Sequence, residues 1–206
     1  MDKIQAALPA SPPLLIVISG YSGAGKDSVI KRLKDLGYPF HFVVTATSRA
    51  QRQGEVPGVD YHFLSRAEFS EMLSRDEFLE HALVYGEHYG VPKSQVRDAL
   101  ASGQDAVMRL DVQGAATLRR LVPDALLIFV STSSEEELIR RLQARRTESP
   151  EALRRRLDTI AQEVGYIPLF DYIVINQDGQ LDEAVSQIMA IIAAEKCRVR
   201  PRVVSI

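Results

Sequence analysis

The chain has 206 residues and a mass of 22.9 kDa, is 46% hydrophobic and 25% charged, and carries a formal net charge of −2. That length suits one domain, that composition a soluble globular protein, and that charge excludes a general electrostatic pull toward nucleic acid or an anionic membrane. A single cysteine, Cys197, rules out an internal disulfide and no apolar run reaches membrane-spanning length, so the expected setting is cytoplasmic.

Residues 1–13, with Pro9, Pro12 and Pro13, read as an irregular lead-in. Leu14 to Ser19 then reads as a buried parallel strand, and it runs into Gly20-Tyr21-Ser22-Gly23-Ala24-Gly25-Lys26, a Gly-x-x-x-x-Gly-Lys phosphate-binding loop. A strand feeding a glycine-rich turn and then a helix aims several backbone N–H groups and the positive helix end at one point, where phosphate is the natural occupant. Lys26 adds a mobile charge for the β and γ oxygens. The pattern expects Ser or Thr next, to hold Mg²⁺. Here Asp27 follows the lysine and Ser28 comes one place later. A carboxylate is also a hard oxygen ligand, so the metal site is expected with an altered ligand.

Beyond the first helix, Phe40 to Thr47 reads as a strand ending in Ser48-Arg49-Ala50-Gln51-Arg52. Two arginines three residues apart read either as a fork around a small dianion or as a solvated polar turn. Gln53 to Phe63 combines turn residues with aromatic alternation, which suggests a small β-lobe, and Arg66 to Phe78 has helical spacing. Glu80 follows among apolar neighbours; it is either a lobe-surface charge or an acceptor for the paired N1 and N2 donors of a guanine edge. Asp105 to Gly114 reads as a strand with Asp111 at its carboxyl end, where open parallel sheets bind ligands. Asp111 is thus expected to hold Mg²⁺ through water, with capping of the next helix as the alternative. Leu126 to Val130 is a further buried strand. From Ser134, a helix rich in Glu at its start and Arg at its end runs to Arg146, and arginines flank a break at Thr147-Glu148-Ser149-Pro150. Such a break suits a lid closing over a triphosphate, because cations arriving on closure neutralise charge and exclude water. Tyr172 to Asn176 reads as the last strand, covered by an amphipathic helix through Ile192. Alternating strands and helices make the chain α/β with a mostly parallel sheet.

Behind the phosphate loop, the blocks Thr45-Ala46-Thr47-Ser48-Arg49, Arg52, Gly54-Glu55-Val56, Asp60-Tyr61, Phe78-Leu79-Glu80 and Tyr89-Gly90 resemble guanylate kinases in order and spacing. The resemblance runs in register from about Leu14 to about Lys196. It implies a P-loop kinase fold with a parallel core sheet flanked by helices, a small mixed β-lobe for GMP and a helical lid. The whole chain, 1–206, would be one domain: core about 14–44 and 92–206, GMP-binding lobe about 45–91, lid about 141–156. The implied reaction is transfer of the ATP γ-phosphate to GMP, and to dGMP, with Mg²⁺. ATP would be held by Gly20, Ser22, Gly23, Ala24, Gly25, Lys26, Asp27, Ser28 and Asn176, and GMP by Thr45, Arg49, Arg52, Tyr61, Glu80 and Tyr89. Lys26, Arg141, Arg145 and Arg156 would be catalytic, and Asp27, Ser28 and Asp111 the metal ligands. The partners are small molecules, and the chain is expected to be a monomer or homodimer.

Two positions depart from that family's usual pattern. Val91 stands where Ser or Thr is common, and Arg109 where an acid is common. With Lys26-Asp27-Ser28, these features are similar to the branch found in plant organelles and some bacteria. The rival readings are a kinase of another phosphorylated acceptor, such as ribose 1,5-bisphosphate, and a non-catalytic guanylate-kinase-like binding module.

Overall fold

The computed structural model describes residues 11–84, 86–144 and 159–206; Arg145, Arg156 and the break at Thr147-Glu148-Ser149-Pro150 lie outside the described residues. The elements run β1 (Leu15–Ser19), α1 (Lys26–Asp35), β2 (His41–Phe42), β3 (Ala46–Thr47), β4 (His62–Phe63), α2 (Arg66–Ser74), β5 (Phe78–Val84), β6 (Glu87–Pro92) and α3 (Lys93–Ala101). They continue with β7 (Ala106–Arg109), α4 (Val112–Leu121), β8 (Leu126–Ser131), α5 (Glu135–Ala144), β9 (Tyr172–Ile175) and α6 (Leu181–Lys196).

The core is a five-stranded sheet of order β2-β7-β1-β8-β9, parallel throughout. Its central strands are continuous apolar runs because helices cover both faces. Ile16 and Ile18 pack with Val29, Leu33 and Ile188 on one side, while Leu15 and Val17 pack with Val96, Ala115 and Leu118 on the other. Successive residues of β1 therefore serve opposite layers, as strand geometry requires. A second sheet of order β4-β3-β6-β5 is mixed, with β3 parallel to β4 and antiparallel to β6. The architecture is α/β, as expected. No helix among the described residues is long and apolar enough to cross a membrane.

Three elements differ from the sequence reading. The strand expected over Asp105–Gly114 ends at Arg109, because Asp111 caps helix α4 and Val112–Gly114 form its first turn. The run Phe40–Thr47 is not one strand: β2 belongs to the core sheet and β3 to the smaller one. Between them Val44 leaves the ladder, donating its N–H to Gln95 Oε1 at 2.9 Å and accepting from Gln95 Nε2 at 2.7 Å. A side chain from α3 thus satisfies the backbone at the point where the chain changes sheet. Helix α2 starts with a capping box, Ser65 Oγ accepting from the Glu68 N–H at 3.2 Å and Glu68 Oε2 from the Ser65 N–H at 2.7 Å. It ends at Ser74, short of Phe78, because Asp76 adopts φ 55°, which no helix continues through.

The amino-terminal edge of the core sheet is tied by charge. Asp171 Oδ2 accepts from the Leu127 N–H at 2.9 Å and from Arg119 at 2.8 Å, and its other oxygen pairs with Arg202 at 3.3 Å. Glu195, with only 3% of its side chain exposed, accepts from Arg202 Nε at 2.7 Å, Tyr172 Oη at 2.7 Å and Arg198 at 3.0 Å. Burial alone would raise this carboxyl, but those three donors hold it at about 2. Because the folded value lies below the ordinary one, the stabilisation is complete above about pH 4.5 and disappears as pH falls toward 2. Replacement Glu195→Gln is therefore expected to flatten the acid limb of stability: urea midpoints measured between pH 5 and pH 3 should fall less than in the wild type.

Candidate active site

The phosphate loop lies between β1 and α1, and its path is dictated by close approaches. Gly20, at φ 138°, runs so near β8 that a Cβ would stand 2.1 Å from the Val130 carbonyl oxygen. Gly25, at φ 91°, caps α1, and a Cβ there would stand 2.3 Å from Asn176 Nδ2. Glycine is required at both positions by space as well as by dihedral angle.

Asn176 is 4% exposed, and its amide donates to the Ala24 carbonyl at 2.9 Å. Arg141 reaches the same carbonyl at 3.3 Å and also donates to Asn176 O at 2.7 Å, Glu137 Oε1 at 2.5 Å and Asp178 Oδ1 at 2.8 Å. Both residues brace the back of the phosphate loop. The sequence reading gives Asn176 to the nucleotide and Arg141 to the lid, and neither bracing contact is legible there. Lys26 curls onto its own loop, donating to Gly20 O at 2.5 Å and Tyr21 O at 3.0 Å. Burial lowers its pKa to about 8 against the opposing pull of Glu163 and Asp27. Glu163 also accepts from the Ser22 N–H at 3.4 Å, so a carboxylate of the chain touches an amide of the phosphate loop.

The mouth of this loop opens into a cavity of about 330 Å³ shared with the second sheet. Ser22, Gly23, Gly25, Lys26 and Asp27 form one wall and Thr45, Tyr61, Glu80 and Tyr89 the other, with Arg109 and Asp111 between them. Residues the sequence assigned to two different ligands are thus brought to one cleft. Gly20 and Ala24 shape the loop behind it, while Ser28 is exposed and does not line the cavity.

Glu80 is the chemically distinctive group of the far wall. It is 7% exposed, and burial, with Asp111 adding like-charge repulsion, raises its carboxyl to about 7. It rests against the first turn of α4, where a Cβ on Gly114 would lie 3.1 Å from its Oε1. Asp111 is the N-cap of α4, its Oδ1 accepting from the Gly114 N–H at 2.7 Å, and it lines the cavity as well. The capping and ligand-facing readings of Asp111 therefore coexist at one carboxylate.

Arg49 is bound to Glu55 by two hydrogen bonds, at 2.7 and 3.2 Å, and its guanidinium stands 5.4 Å from the Tyr61 ring centre. The Arg52 N–H donates to the same Glu55 at 2.7 Å, while Arg52 itself is exposed. Tyr61 and Tyr89 meet edge to face at 6.0 Å. Glu55 thus takes up the Arg49 guanidinium and the Arg52 backbone N–H together. Its place six residues after Arg49, across the Gly54 turn, was the available signal. The pairing of Asp27 with Arg109 was not anticipated. Arg109 also donates to Tyr61 Oη at 3.0 Å. Of the metal ligands expected from sequence, Asp27 and Asp111 both line the cavity, Asp27 paired with Arg109, while Ser28 stands outside the lining.

Comparison with known proteins is consistent over nearly the whole length. Residues 13–195 match the family model described as guanylate kinase. The chain is 51% identical over 199 residues to guanylate kinase 2, chloroplastic/mitochondrial, of Oryza sativa subsp. japonica, covering 96% of this chain and 70% of that protein. It is 43% identical over 186 residues to a guanylate kinase of Clostridium perfringens, covering 90% and 85%. The crystal structure of guanylate kinase from Anaplasma phagocytophilum superposes with a TM-score of 0.73 at 29% identity, covering 93% of this chain and 90% of that one.

The burial of Glu80 carries a stability cost with a defined pH dependence. Its folded value lies above the ordinary one, so the folded state binds the extra proton between about pH 4.5 and 7 and stability falls as pH rises through that window. Glu80→Gln, which cannot ionise, is expected to stabilise the ligand-free protein at pH 8 by on the order of 1–3 kcal/mol, and so to raise its melting temperature. That gain should shrink to nearly nothing at pH 5 in parallel calorimetric scans.

Proposed function

The chain belongs to the guanylate kinase family, and from that membership we infer that it transfers the γ-phosphate of ATP to GMP, giving ADP and GDP. The observation that supports this most directly is the shared cleft, in which the phosphate loop faces Glu80, Thr45 and Tyr89 across one cavity. A phosphate cradle alone fits any nucleotide-dependent enzyme. A buried carboxylate opposite it selects a partner with two adjacent N–H donors, and guanine has that edge where adenine lacks it. The ribose 1,5-bisphosphate and binding-module alternatives leave Glu80 and the intact Gly25-Lys26 loop, respectively, without purpose.

In this reading the loop amides and Lys26 hold the donor phosphates. Lys26 gives up its two carbonyl partners when phosphate enters, and the anion restores the full charge that burial works against. Arg49, Arg52, Tyr61 and Tyr89 take the acceptor phosphate, which displaces Glu55 from Arg49. Thr45 and Glu80 take the base. No side chain need act as a general base, since the attacking oxygen of GMP is already ionised; positioning and charge neutralisation do the work. Arg145 and Arg156 are assigned to the closing lid, and Arg141 to the brace that keeps the loop in shape for it. We assign residues 45–91 to the GMP-binding lobe and 141–156 to the lid. All these residues come from one chain, which suits a monomer and a homodimer alike.

The family's Mg²⁺ fits the chain at Asp111, whose carboxylate lines the cavity near Lys26 and offers the hard oxygen donor that this ion takes. When bound there, the ion would offset the negative charge of the phosphates. The chain's own part is to keep Asp111 in place through its bond to the Gly114 N–H.

Two measurements test this reading. In a coupled assay, GMP and dGMP should be turned over in clear preference to AMP, CMP and UMP, and Lys26→Ala should lose about 10²–10³ in kcat with the fold intact. Because Glu80 must be ionised to accept both guanine donors, kcat/KM for GMP should fall about tenfold between pH 8 and pH 6. Glu80→Gln should lie well below the wild type at pH 8 and lack that part of the decline.

A further inference from the structure

The last residue of β7 stands at the junction of the two substrate walls. Arg109 pairs in register with Ile18 of β1, at the carboxyl edge of the core sheet, so its side chain leaves the sheet beside the phosphate loop. There the guanidinium meets the Asp27 carboxylate from the first turn of α1 and donates at 3.0 Å to the hydroxyl of Tyr61, the residue just before β4. One cation thus touches the donor wall and the acceptor wall at once. A second cavity of about 460 Å³ adjoins the first, and the residues common to both linings are Asp27, Thr45, Tyr61 and Arg109.

We propose that Arg109 is a further phosphate-binding residue, held by Asp27 and Tyr61 while the cleft is free and handed to the phosphate chain where donor and acceptor meet. This rests on the reading of the cleft as the site of transfer from ATP to GMP. The exchange is energetically easy. The Arg109 and Asp27 side chains are 39% and 70% exposed, so water screens their ion pair and it is cheaply given up. A phosphate oxygen carries more charge, and a guanidinium meets two such oxygens in one plane. The strand origin matters too, because a cation rooted in the central sheet needs little ordering to meet a developing charge. Arg109 and Lys26 are also near enough for each to disfavour the charge of the other, an arrangement an anion between them relieves.

The test uses a probe that spans both walls, adenosine and guanosine joined through five phosphates, titrated calorimetrically without divalent metal. Arg109→Ala is expected to weaken this probe about 100-fold while GMP alone and ADP alone lose less than fivefold, and to lower kcat by a similar factor. Arg109→Lys should recover part of both losses. Asp27→Asn, which frees the guanidinium, should bind the probe as tightly as the wild type or more tightly. The proposal is overturned if Arg109→Ala binds the probe within threefold of wild type, if GMP alone suffers the same loss as the probe, or if Asp27→Asn weakens it as Arg109→Ala does; the last two results would mark the pair as a structural latch. Should Arg109→Ala fail to fold by circular dichroism, Arg109→Gln is read by the same criteria. Wild-type turnover of GMP is measured alongside: its absence refutes the kinase reading itself, whereas intact turnover with an indifferent Arg109→Ala refutes only the role of Arg109.

Discussion

The structure depends on how tightly the phosphate loop is pressed against the two strands beside it. Its backbone passes Val130 with no room for a Cβ at Gly20, and its Ala24 carbonyl is fastened by Asn176 and Arg141 from beyond β9 and from α5. A loop whose amides must converge on one anion cannot be left to its own conformational entropy, which costs about 1–2 kcal/mol per residue to fix. Here the cost is met by a buried amide and by a guanidinium whose donors are spread over two carboxylates and two carbonyls. The loop is preformed, and substrate binding need not organise it.

The same economy governs the cations that face the cleft. Each is matched by a group of the chain itself: Arg49 by Glu55, Arg109 by Asp27, Lys26 by the carbonyls of Gly20 and Tyr21. These partners are acceptors that phosphate replaces without leaving a bare charge behind, since the freed carboxylates are at least partly open to water. The cleft therefore stores its positive charge at low cost until two polyanions arrive. Glu80, by contrast, is a carboxylate of the same cleft that burial holds at about 7.

How much of this was legible in the sequence divides along range of interaction. The phosphate loop is local, and its strand, glycines, lysine and helix could be read in a dozen residues. Glu80 stands out in the sequence as a lone acid among apolar neighbours, and the structure places it, 7% exposed, in the cleft lining. Arg109 facing Asp27, 82 residues away, and Asn176 facing Ala24, 152 residues away, could not be read, because nothing in either neighbourhood specifies the other. The broken strand at Val44 has the same origin. The apolar run Phe40–Thr47 is continuous, and only Gln95, 51 residues on, makes the chain leave one sheet for the other. Arg141 was read by its place in an arginine-rich segment, but the acids that hold it come from its own helix and from Asp178.

The clamp formed by Glu195, Arg202 and Asp171 gathers at the start of β8, whereas the phosphate loop lies past the end of β1. Six residues of strand span about 20 Å, more than twice the distance over which physiological salt screens exposed charge. The charge network that resists acid and the loop that receives phosphate thus stand at opposite rims of one sheet, beyond each other's screened reach.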